Sequence, residues 1–144
     1  MKTYYSVYDI GCSKVVSQKV QLLVMSKMAE DLGGKIVYYT AEDFYKTLAS
    51  QAVIREKVNQ KQKFSGVIFY RLQQFNYGDR FNFEMLEHIL KSGYEVHFAQ
   101  DIFSVYTLDE FHQNYCLFSL FEKTRKISFQ SILSQVDSST RQLF

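Results

Sequence analysis

The stretch GVIFYRLQQFNYGDR, residues 66–80, runs an apolar segment into a polar exit carrying Arg71, Gln73, Gln74, Asn76, Tyr77, Asp79 and Arg80. Strand ends in alternating α/β chains are where ligands meet the protein. Such an exit is either a reactive corner or one whose chemistry has been lost. Asp9, Asp101 and Asp109 also fall near strand ends, and three gathered carboxylates would hold Mg²⁺. His88, His97 and His112 have no metal-ligand spacing, so neither a metal nor another cofactor is expected. The glycines of DLGGK, residues 31–35, close a helix instead of opening one, which rules out a phosphate loop.

These groups must be held by regular elements, and hydrophobic periodicity supplies them. TYYSVYDI at 3–10 reads as a strand. Residues 17–32 read as a helix, with Val20, Leu23, Val24, Met28 and Leu32 on one stripe. Gly33-Gly34 caps it, and KIVYY at 35–39 is the second strand. A second amphipathic helix is expected over 51–62. Val67–Tyr70, with no polar alternation, is the third strand and belongs at the centre of a parallel sheet. A helix from Phe83 to Ser92-Gly93 and a fourth strand over Tyr94–Phe98 follow. Beyond Thr107 a single long helix is expected, carrying Phe111, Tyr115, Phe118, Phe121, Ile127, Ile132 and Val136.

The fold class is therefore α/β: a three-layer sandwich with a mostly parallel four- to five-stranded sheet and a long C-terminal helix. The expected divisions are an α/β unit over 1–109, a dimerisation-type helix over 110–136 and a frayed tail over 137–144. Apolar residues nearly encircle the first half of that helix, which points to a partner through Phe111, Tyr115, Phe118 and Phe121. The 144 residues suit one core, and 17% are aromatic, with 13 Phe, 11 Tyr and no Trp. The net charge of +2 is no argument by itself for nucleic acid. No membrane span or secretion leader is expected, and two distant cysteines suit reduced thiols, so a cytoplasmic location is expected.

Several segments together resemble the N-terminal catalytic domain of the serine recombinases, the resolvase/invertase family, over roughly residues 4–135. They are the first strand and loop leading to a helix with Gln21 near its start, then AEDLGGKIVYY, KFSGVIFYRLQQF, LEHILKSGYEVHFAQD and CLFSLFEKTRKI. In active members the third strand runs into Lys-Leu-Asp-Arg-Leu-x-Arg, whose arginines grip the scissile phosphate. Here Arg71 takes the lysine's place, Gln73 the aspartate's, Gln74 the first arginine's and Tyr77 the second's. Active members also carry Tyr-x-Arg-Val-Ser on the first strand. Alignment from Gln21 puts Ile10 at the arginine and Cys12 at the serine, and sliding by one makes Ser13 the nucleophile with Gly11 at the arginine.

The resemblance therefore implies a degenerate recombinase fold, a pseudoenzyme that works through homodimers or through heteromers with a recombinase and bears on DNA recombination. It also implies that the long helix crosses DNA, where Lys123, Arg125 and Lys126 would make modest, salt-sensitive phosphate contacts. Too few residues follow Val136 for a helix-turn-helix. Two alternatives stand beside this reading. One is an active site-specific recombinase using a relocated Ser13 or Cys12, with Arg71, Arg80 and Lys14 rebuilding the cationic site. The other is an unrelated small-molecule-binding α/β module.

Overall fold

Aromatic and β-branched runs pair into a five-stranded sheet in the computed structural model, which describes residues 1–42, 64–77, 79–124 and 129–135. The strands of this sheet are β1 (Lys2–Asp9), β2 (Gly34–Glu42), β3 (Gly66–Phe69), β6 (Glu95–Phe98) and β7 (Phe103–Val105). A two-stranded hairpin, β4 (Asn76–Tyr77) and β5 (Arg80–Phe81), follows a 3₁₀ turn over Leu72–Phe75. The sheet order is β2-β1-β3-β6-β7, with the first four parallel and β7 antiparallel to β6. β3 is buried at all four residues, as its unbroken apolar run requires at a sheet centre. Gly66 allows a close approach there: a Cβ would lie 2.5 Å from the Glu95 carbonyl oxygen.

Helix α1 (Gln18–Asp31) packs on one face, over Tyr4, Ile68, Tyr70 and Ala99. Ser17 caps its start, and Gly33, at φ 82°, reverses the chain after it. The opposite face holds the larger core, where Val67, Phe69, Val96 and Phe98 meet α2 (Phe83–Lys91). The same core takes in α3 (Leu108–Gln113), α4 (Tyr115–Lys123) and α5 (Phe129–Gln135). Phenylalanine rings fill it, with Phe118 lying 5.6–6.1 Å from Phe81, Phe103, Phe111 and Phe129.

The single long helix expected over 110–136 does not form. Asn114 ends α3 by donating from Nδ2 to the Glu110 carbonyl at 2.8 Å, and its backbone leaves the helical region at φ −104°, ψ 12°. Thr124 ends α4 by donating its hydroxyl to the Leu120 carbonyl at 2.6 Å. Such side-chain bonds compete with helix continuation. Apolar residues encircle this segment because its short helices meet the core from more than one side. Strand β7 and the β4–β5 hairpin are additions to the sequence-level expectation. The expected helix over 51–62 and the tail over 137–144 lie outside the described residues.

Candidate site at the strand ends

Order β2-β1-β3 makes the chain leave β1 in one direction and β3 in the other, which opens a switch point between their C-terminal ends. Asp9 closes β1 there and is 1% exposed. Its carboxylate accepts from the Cys12 backbone N–H at 3.2 Å and from Arg71 Nε. Asp101, in the turn after β6, accepts from the Leu72 N–H at 2.6 Å. Burial pushes its carboxyl up, against the opposing pull of that N–H and the Arg71 charge. Gln130 on α5 donates to the Asp101 backbone carbonyl, which ties the last helix to the corner.

Two buried glutamines complete the lock. Gln21 donates to the backbone carbonyls of Asp9 and Val16, each at 3.0 Å, and accepts from the Asp9 N–H at 2.8 Å. Gln74 donates to the carbonyls of Val7 at 3.2 Å and Tyr8 at 3.0 Å, and accepts from the Arg71 N–H at 2.9 Å. Each amide thus replaces a stretch of backbone ladder where strands diverge. Arg71 faces the carboxylates Asp9 and Asp101, so the corner carries no surplus of positive charge.

The other sequence candidates scatter. Cys12 is buried beside Tyr70, and Ser13 donates its hydroxyl to the Ile10 carbonyl at 2.7 Å. Lys14, Gln73, Asp79 and Arg80 are exposed. Asp109 lies in the first turn of α3, and no group of three His, Cys, Asp or Glu among the described residues is arranged to hold a metal ion. Phe111, Phe118 and Phe121 are buried in the core, whereas Tyr115 is 41% exposed. Lys123 is exposed at the end of α4, and Arg125 and Lys126 lie outside the described residues. Cys12 and Cys116 are both buried and are not joined in a disulfide.

A second polar cluster occupies the α1 face of β6 and β7. His97 is fully buried, with Nδ1 2.6 Å from Ser104 Oγ and Nε2 3.0 Å from Glu95 Oε2. Glu95 also accepts from Lys2 Nζ at 3.0 Å and the Tyr4 hydroxyl at 3.1 Å. Burial acts to raise the Glu95 carboxyl, but the bonds from His97, Lys2 and Tyr4 outweigh it and hold the group below its ordinary range. Burial lowers His97, with the Glu95 bond and charge opposing. The alternation Glu95-Val96-His97 is visible in the sequence and puts both polar groups on one face. Ser104 is invisible there, because its place opposite His97 depends on β7 turning back. No family model, curated protein or solved structure matches this chain.

Proposed function

We propose that this chain is a recombinase-like α/β module that has lost phosphoryl-transfer chemistry and works through association, as a homodimer or with a competent recombinase. The use made of the strand-end corner carries this reading. Where the active-family pattern has an arginine, Gln74 is buried and spends both ends of its amide on backbone. Arg71 is held by Asp9 with Asp101 nearby, so an incoming phosphodiester finds no surplus cation to offset its charge. The element order around the corner, with Gln21 in the first turn of α1, supports the family part of the reading.

The surface for association is the outer edge of β2. This nine-residue strand ends the sheet, and no described strand pairs with its far side. Val37, Tyr38 and Tyr39 are 37%, 49% and 52% exposed there. A register shift between Tyr4 and Tyr5 leaves Val37 unmatched on β1. Exposed apolar edges template pairing with another chain, and two copies of one edge form an isologous contact. In this reading Lys123, Arg125 and Lys126 add only salt-sensitive contacts to DNA.

The loss of chemistry is tested by incubating the protein with DNA from its own cells, denaturing the mixture and measuring covalent protein–DNA adducts. None is expected. An adduct that vanishes in Ser13→Ala or Cys12→Ala overturns the reading in favour of an active recombinase.

A further inference from the structure

We propose that Ser104, His97 and Glu95 form an acyl-transfer site for esters with a short apolar acyl chain, an activity independent of association through β2. The protonation pattern follows from the neighbours. The Glu95 carboxylate, held ionised by Lys2 and Tyr4, can only accept a hydrogen bond, so His97 Nε2 carries the proton that it receives. In the neutral ring Nδ1 is then a bare lone pair, and the Ser104 hydroxyl donates to it across 2.6 Å. A serine hydroxyl on a basic nitrogen, with a carboxylate holding the far nitrogen, is the constellation that activates a nucleophile. The two ring nitrogens exchange their usual duties, which the geometry of the relay permits. Tyr4 and Tyr106 meet the imidazole edge-on at 5.4 and 5.3 Å, and so fix its plane.

A binding surface lies beside this array. A groove of about 430 Å³ runs between α1 and the β6–β7 turn, lined mainly by Leu23, Val24, Met28, Ala99 and Ile102. Ala99 stands two residues beyond His97 and Ile102 two before Ser104, so the two strands that carry the reacting pair also supply one wall of the groove through the turn that joins them. Ile102 is 80% exposed at its rim and, at φ 51°, is the only non-glycine residue with positive φ among the described residues. A β-branched residue held in that region is strained, and such strain gathers at functional sites. β7 ends the sheet, so no described strand pairs with its outer edge beside Ser104.

The reaction balances without a co-reactant other than water. Ser104 Oγ bonds to the ester carbonyl carbon as its proton passes to His97 Nδ1. The tetrahedral adduct collapses, the C–O bond to the alcohol breaks, and the alcohol leaves with that proton. Water then attacks the acyl-serine, Nδ1 takes and returns a proton, and the carboxylic acid departs.

The test is labelling with a fluorophosphonate, located by peptide mass spectrometry, together with hydrolysis of p-nitrophenyl butyrate. Labelling at Ser104 is expected, with hydrolysis lost in a folded Ser104→Ala protein. His97→Gln should lower kcat by about 100-fold or more. Glu95→Gln, which removes the charge but keeps the shape, should lower the rate and alter its pH profile. An unlabelled Ser104 in folded wild-type protein, or hydrolysis unchanged in Ser104→Ala, overturns the proposal. Neither outcome bears on the mass of the protein in solution, so this activity and association through β2 stand or fall separately.

Discussion

At the scale of residues, two amides and two carboxylates do structural work where catalytic cations were to be sought. Gln74 satisfies the carbonyls of Val7 and Tyr8 and the N–H of Arg71, all at diverging strand ends. Gln74→Ala leaves these buried groups unpaired, and the cost of an orphaned buried group is about 1–3 kcal/mol. Urea unfolding should show a loss of at least that size, whereas Gln73→Ala, at an exposed position, should be nearly neutral. The exit was legible in the sequence as a polar cluster. Its use was not, because burial of Gln74 depends on where Val7 and Tyr8 end, in a strand more than sixty residues earlier.

His97 adds a pH dependence. Its imidazole is held below the ordinary value of 6.5 by burial, so the unfolded chain takes up the proton first. Its contribution to stability is complete above about pH 6.5 and is lost as pH falls through the lower folded value. Glu95, also held down, extends the loss below its ordinary 4.5. The melting temperature should fall between pH 7.5 and 5.5, and less steeply in His97→Gln. An equal fall in both proteins would mean that other groups control the transition.

At the scale of elements, α1 shows how a correct helix can present an unexpected face. Periodicity selected Val20, Leu23, Val24, Met28 and Leu32, yet the fully buried residues are Gln21, Met25 and Ala29, while Val20 and Leu23 are 46% and 63% exposed. The difference is one residue, or about 100° of rotation. Gln21 must reach the end of β1, and its three backbone bonds turn the helix. The apolar stripe then sits at the margin of the sheet's core, with Val24, Met28 and Leu32 partly buried against it and Leu23, Val24 and Met28 lining the groove. The C-terminal segment teaches the converse: its apolar content was legible, but its division at Asn114 and Thr124 arises from local side-chain bonds. Phe118, fully buried among the rings of Phe81, Phe103, Phe111 and Phe129, should cost about 3–5 kcal/mol when cut to alanine. Phe118→Asp should therefore unfold the chain, as circular dichroism would show, instead of yielding folded monomers.

At the scale of the whole molecule, β1, α1, β2, β3, α2 and β6 followed from short aromatic runs, helical periods and the caps at Gly33 and Gly93. Strand β7 escaped because FSV is three residues long and its partner lies across a tight turn. No described helix is long and apolar enough to cross a membrane. Of the sheet's two edge strands, β2 is the longer, and its Val37, Tyr38 and Tyr39 show apolar surface along an edge that no described strand pairs. Charge on that edge blocks strand addition, so Tyr39→Asp should abolish association while leaving the fold intact.

Light scattering of the purified protein across a concentration series, beside Tyr39→Asp, tests the association reading most directly. The expected result is a mass of two chains for wild type at tens of micromolar and of one chain, 17.0 kDa, for the folded variant. A single-chain mass for wild type at every concentration, or a dimer indifferent to Tyr39→Asp, would contradict association through β2.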